Sequence, residues 1–181
     1  MTEPTTPTRS NDKPANAATA PVASTVLKER DAIRDAIATL IGGARRDIII
    51  FAPQMDAHYF NGSTLARSLT SFAARHRYNL ARILVEDATQ VLRDNDRIAN
   101  LCRRMAEFVQ MHQVGEEHLG LRELFIVVDG NGYLRQLDLT EPECIIEPNG
   151  RQKAAELRQR FNHMWDRSEP ATGLNTAGLM A

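Results

Sequence analysis

Lysine is almost missing from this 181-residue sequence, with 3 Lys against 19 Arg. Arginine's planar guanidinium suits bidentate contact with phosphate or carboxylate, but a GC-rich genome produces the same bias, and that explanation is preferred. Neither sign of charge is in excess: 22 basic and 23 acidic side chains leave a formal charge of −1. No global field therefore draws the chain to nucleic acid or to an anionic membrane. Cysteine is scarce as well. Cys102 and Cys144 lie in apolar patterns without CxxC or Cys/His spacing, so they read as small buried hydrophobes in a reducing cytosol. No apolar run approaches the ~18 residues of a membrane span, and no basic-plus-apolar leader opens the chain. The expectation is a soluble, cytoplasmic protein that does not engage a membrane. Walker A, dinucleotide-fingerprint and nucleophile-elbow patterns are all missing, which leaves nucleotide-dependent and hydrolase chemistry without support. "HQVGEEH" (112–118) hints at a metal site, but it fits neither HExxH nor HxxEH, because Val114 stands where the second pattern needs histidine. Neither metal nor cofactor is expected.

The part that is rich in signal lies between two poor ends. Residues 1–23 hold five Thr, four Pro and five Ala, with no Ile, Leu or aromatic residue. Such a segment buries too little apolar surface to offset its ordering entropy, and it is expected to be a disordered tail. The stretch 168–181, "SEPATGLNTAGLMA", is expected to be a second loose terminus. Residues 24–167 are expected to form one α/β domain, a layered mixed β-sheet flanked by helices. Val26, Leu27, Ile33, Ile37, Leu40 and Ile41 repeat at helical spacing up to Gly42-Gly43. "DIIIFAP" (47–53) is a short, β-branched, continuously apolar run that suits a strand buried on both faces. Leu65, Leu69, Phe72 and Ala73 mark a helix capped by Ser63 or Thr64. "LARILVED" (80–87) is a second strand, and Ile98, Leu101, Cys102, Met105 and Phe108 outline a third helix. "FVQMHQV" (108–114) is a more exposed strand. "LFIVVD" (124–129) is the central one, with the "GNG" turn leading to "YLRQL". "ECIIE" (143–147) adds a strand, and Ala154, Leu157, Phe161, Met164 and Trp165 define the closing helix.

Candidate ligand-binding residues gather beyond strand ends, where open α/β sheets bind ligands. The loop "PQMDAHYFNGS" (53–63) offers Asp56, His58, Tyr59 and Asn61, although an ordinary helix-entry loop with Tyr59 or Phe60 tucked into the core is the preferred explanation. Glu86 and Asp87 face the same rim, with Asp87 preferred as a helix N-cap. Arg75, His76, Arg77, Arg97, Arg103 and Arg104 could form a basic patch for nucleic acid, or only a solvated helix face.

From Thr25 to Arg167 the order of elements resembles one half of a phospholipase-D-like domain. The residues that carry the likeness are "GGARRDIIIFAP", "LARSLTSFAARHRYNLARILVED", "LFIVVDGNGYLRQ" and the closing helix "RQRFNHMWD", with Phe161 and Trp165 in its Phe-x-x-x-Trp pattern. A narrower, uncharacterised bacterial family, some of whose members are joined to GNAT-type acetyltransferases, is also similar. The resemblance implies a His-x-Lys-x-x-x-x-Asp motif in which histidine attacks phosphorus and lysine holds the phosphate oxygens. If Asp129 is that aspartate, Arg122 and Leu124 occupy the histidine and lysine positions, and His118 lies four residues too early. Arginine cannot be deprotonated to attack phosphorus, and leucine cannot bind phosphate. The resemblance thus implies a catalytically inactive module that binds a partner protein or a small anion. It further implies pairing into a homodimer near residues 115–137, where Leu119, Leu121 and Tyr133 would otherwise face water. Asp129 is expected to close its strand and take local backbone bonds in the "DGNG" turn; the competing reading joins it with Arg122 in a retained polar pocket. Two further readings stay open: a nucleic-acid-binding protein using the arginine surface, and an enzyme with a site around Asp56, His58 and His118.

Overall fold

The computed structural model describes residues 23–174. The expectation for the N-terminal tail falls, but for its last residue, outside them. The elements are β1 (Thr25–Leu27), α1 (Arg30–Gly42), β2 (Asp47–Phe51), α2 (Ala57–Phe60), α3 (Ser63–Arg75), β3 (Leu80–Val85), α4 (Ala88–Asp94), α5 (Asp96–Arg104), β4 (Val109–Gln113), β5 (Leu124–Val128), β6 (Gly132–Gln136), β7 (Cys144–Glu147), α6 (Arg151–Trp165) and β8 (Glu169–Pro170). The strands form one mixed sheet in the order β1-β7-β6-β5-β2-β3-β4-β8, parallel only across β2-β3-β4. Parallel neighbours need crossovers, which α2–α3 and α4–α5 supply. The alternating pattern of the sequence is therefore a layered α/β domain, as the residues predicted.

The two faces of the sheet are unequally covered. Ile48, Ile50, Ile83, Val85, Ile126 and Val128 pack with Ile33, Ile37, Ile41, Phe60, Leu69 and Phe72 on the face carrying α1 and α3. The alternate residues Ile49, Phe51, Leu84, Phe125 and Val127 meet α6 through Ala154, Leu157, Phe161 and Met164. This helix runs across the strands. It starts beside β6 and β7, where a Cβ on Gly150 would come within 2.4 Å of the Tyr133 ring. It ends over β4, where Trp165 stacks on His112 at 3.8 Å. A single helix cannot cover the whole face, and Arg82 and Gln110 lie on the part it leaves open.

Four expectations are corrected. Val26 and Leu27 do not open the first helix; they lie in an edge strand paired with Ile145 and Cys144 of β7, and α1 begins at Arg30. Their helical spacing was coincidental, and β-branched Thr25-Val26 suits the open edge better. Neither Ser63 nor Thr64 caps α3, whose N-cap is Gly62 without a side-chain bond. The third helix, α5, stops at Arg104, so Met105 and Phe108 lie beyond it; before it, buried Asn95 separates it from α4 and donates its amide to the Met55 and Val91 carbonyls, which ties the break to the loop after β2. The chain from Ser168 is not loose as far as Leu174: β8 pairs with β4, and Ala171 is buried.

Candidate functional site

The two ends of the parallel strands present different chemistry. At the carboxyl end of β2, where β5 begins, arginines are matched with carboxylates. Arg30 bonds Asp56 at 2.7 Å, Arg122 lies 3.4 Å from Asp138, and Arg167 lies 3.7 Å from Glu117. Glu123, only 7 % exposed, takes Arg135 at 3.0 Å and also Arg160. Leu124, at the position implied for the phosphate-binding lysine, is buried in the core. Asp56 caps α2 by accepting the His58 N–H at 2.9 Å, and His58 reaches Asp31 at 2.9 Å. Tyr59 is buried, which pushes its pKa up. The cavity that Asp56 and Tyr59 line together measures only about 40 Å³, while Tyr59 also borders one of about 540 Å³ and Asp56 one of about 560 Å³. His118 packs edge-on to His163, with ring centres 6.0 Å apart, and so lies on the α6 side rather than with Asp56 and His58. Among the described residues no three His, Cys, Asp or Glu side chains converge as metal ligands.

Arg122 and Asp129 do not share a pocket. They flank β5, and seven residues of extended chain at about 3.3 Å each put them roughly 20 Å apart. Nor does Asp129 merely take local turn bonds. Its backbone sits at φ 53, a left-handed conformation that Asp tolerates. Its carboxylate accepts the backbone N–H groups of Arg45, Arg46 and Asp47 at 2.7–3.2 Å, more than 80 residues away in sequence. Asp129 thus fixes the loop between α1 and β2.

That loop borders a cavity of about 1130 Å³ at the amino end of β2 and β3. Its floor is Arg82 and Gln110, paired in register on the face that α6 leaves open. Its walls are Arg158 and Trp165 of α6, and its rims are Arg45–Arg46 on one side and Arg75, His76, Tyr78 and Asn79 on the other. Five arginines line it against one carboxylate, Asp47, which Arg158 engages. Among the described residues no carboxylate pairs with Arg45, Arg46, Arg75 or Arg82. Among the described residues Arg75 donates only to the Ala44 carbonyl, at 3.1 Å. Arg82 stacks over Phe161 and Trp165 at 5.2 and 5.5 Å, and its burial pulls its pKa below the ordinary arginine value. The Asp47 and Asp166 carboxylates act on Arg82 from a distance, but neither forms an ion pair with it, and a guanidinium partly stripped of water and without a contacting carboxylate favours the arrival of an anion.

Of the arginines expected as a basic patch, only Arg75 lines this cavity, with Arg77 on the adjoining loop. Arg103 and Arg104 end α5, and Arg97 lies at the other end of that helix, beside Asn61. Arg45, Arg46, Arg82 and Arg158 were missed in sequence. "ARR" directly before a strand was a usable signal for the first two. A single Arg inside the apolar run "LARILV" was one for Arg82. Tyr133 is also corrected: it is buried against Glu147, to which its hydroxyl donates at 2.9 Å, and does not face water. No helix among the described residues is long and apolar enough to cross a membrane.

Several solved structures share this architecture. A phospholipase D family member, Nuc from Salmonella typhimurium, matches with a TM-score of 0.61 at 12 % identity over 82 % of this chain and 97 % of that one. NucT from Helicobacter pylori matches at 0.59 and 10 % identity, over 82 % of this chain and 98 % of its own. TrmBL2, an archaeal chromatin protein described with a novel mode of DNA binding, matches at 0.60 and 10 % identity; 86 % of this chain covers 56 % of that one, so the chain spans little more than half its length. Likeness at such low identity establishes the fold alone. No curated protein matches the sequence. Residues 29–176 match the family described as "Domain of unknown function (DUF7931)", so the chain belongs to that family and carries it on a phospholipase-D-like fold.

Proposed function

We propose that this domain is a non-catalytic, cytosolic module of the phospholipase-D-like fold that binds a phosphate-bearing ligand in the arginine cavity. The observation that carries the proposal is the convergence of Arg45, Arg46 and Arg82, none paired with a carboxylate among the described residues, on one cavity. Arg122 and Leu124 support the non-catalytic half: arginine at the implied histidine position cannot be deprotonated to attack phosphorus, and Leu124 is a buried apolar side chain at the implied lysine position. TrmBL2, a structure that shares this fold over part of its length, is described as binding DNA, which fits a phosphate-directed role. Isothermal titration with pyrophosphate tests the reading: binding to the wild-type chain and its loss in Arg46→Ala is the expected result. Turnover of bis-p-nitrophenyl phosphate would overturn the non-catalytic half.

A homodimer is a second reading, favoured by Leu119 and Leu137, which are 50 % and 57 % exposed near the start and end of the β5–β6 hairpin. Light scattering at micromolar concentration should give twice the monomer mass; the monomer mass alone would remove it.

A further inference from the structure

The rim of the arginine cavity carries a feature that phosphate binding does not use. Tyr78 is 70 % exposed, the most exposed of the large apolar side chains among the described residues. It sits on the short loop between α3 and β3, and it lines the cavity with Arg75 and His76. Its position is held: the Arg77 guanidinium lies 4.6 Å from its ring centre, the His76 ring lies 5.3 Å away, and its backbone N–H donates to His76 Nδ1 at 3.3 Å. The next residue, buried Asn79, anchors the loop through its amide, which donates to the Phe72 carbonyl at 2.7 Å. An aromatic ring kept in water on an anchored loop, beside a row of guanidinium groups, matches how single strands are held. Backbone phosphates follow the cations, and a base stacks on the ring.

We infer that the ligand of this cavity is a single-stranded nucleic acid segment, its phosphates on Arg45, Arg46 and Arg82 and one base stacked on Tyr78. This rests on the phosphate-binding reading above. The recessed position of Arg82 selects against a duplex, whose phosphates lie on a convex surface and whose bases are already stacked on one another. The other end of the sheet, with its carboxylate-paired arginines, takes no part.

Fluorescence anisotropy with a labelled oligo-dT of about twelve nucleotides tests this, with the matching duplex, ATP and polyglutamate as competitors. The single strand should bind with an affinity that falls steeply as salt rises, and it should be displaced least well by duplex and by polyglutamate. Tyr78→Ala should weaken it by at least about fivefold, the low end for one lost base stack, while Tyr78→Phe restores it and pyrophosphate binding does not change. Arg46→Ala, at an exposed position, should weaken both ligands. If Tyr78→Ala leaves the oligonucleotide untouched, or ATP or polyglutamate competes as well as the single strand, the single-strand inference falls and the phosphate reading stands. If neither oligonucleotide nor pyrophosphate binds, both fall.

Discussion

At the carboxyl end of β2, Arg30, Arg122, Arg135, Arg160 and Arg167 each meet a carboxylate; at its amino end Arg45, Arg46, Arg75 and Arg82 meet none among the described residues. Both ends draw on the same arginine-rich composition. What separates them is where the acids fall. Glu123 is buried between two guanidiniums and closes the end at which the phospholipase-D likeness implies chemistry. Asp129 spends its charge on three backbone N–H groups and leaves the neighbouring arginine side chains unmatched. One end is built to be stable without a ligand, and the other keeps positive charge in reserve.

The comparison predicts where substitutions harm the fold and where they harm only binding. Glu123→Ala should be the most damaging. It strands Arg135 and Arg160 without a counter-charge, and loss of one partner of a buried pair should cost about 3 kcal/mol, toward the low side because both arginines keep some contact with water. Urea denaturation measures it. A midpoint equal to wild type would mean that this end is not held by its ion pairs. Asp129→Asn should cost less, about 2 kcal/mol, because it weakens charge-assisted bonds to backbone N–H groups without breaking the left-handed turn. It should also weaken pyrophosphate binding, because the loop it fixes carries Arg45 and Arg46. Unchanged binding would show that the loop holds its shape unaided.

Much of the fold was legible because its signals are local. "DIIIF" and "LFIVV" are buried on both faces, as continuous apolar runs should be. Asp87 caps α4 by accepting the Gln90 N–H, as its position suggested. Two features were illegible for a common reason: they depend on long-range partners. The break at Asn95 is fixed by the carbonyl of Met55, and the edge strand at Val26 exists only because β7 lies beside it. The candidate site was the least legible part. The likeness directed attention to Arg122 and Asp129 as a pair, whereas β5 holds them at opposite ends. Arg45 and Arg46, Arg82, and Arg158 come from three separate elements or loops, and no spacing in the sequence announces that they meet.

A smaller effect concerns His112, which packs between the two ends of the sheet. Burial lowers its pKa, and the groups seen around it, the Trp165 ring and the Ser168 hydroxyl, bring no acid to stabilise its charged form. The unfolded chain therefore takes up the proton first, near the ordinary histidine value of about 6.5. Stability is unaffected above that value and declines as pH falls through it. Between about pH 7.5 and 5.5 the wild-type Tm should drop more than that of His112→Gln. Parallel curves would show that the imidazole is as well hydrated in the fold as out of it.

The smallest effect on stability should come from Arg46, one of the arginines to which the proposal assigns the phosphate. Arg46 is exposed, donates no side-chain bond among the described residues, and has Arg45 beside it. A surface substitution of this kind stays within about 0.5 kcal/mol of neutral, and removing one of several crowded like charges can even be favourable. Arg46→Ala should therefore melt with the wild type, or slightly above it, while losing pyrophosphate. Arg135→Ala makes the converse control at the other end of the sheet: it should lower the melting temperature by leaving Glu123 short of one partner, and it should leave pyrophosphate binding intact. Measured together by differential scanning fluorimetry and calorimetric titration, the two variants separate structural arginine from reserved arginine. Arg46→Ala destabilising the fold, or Arg135→Ala abolishing binding, would erase the distinction between the two ends.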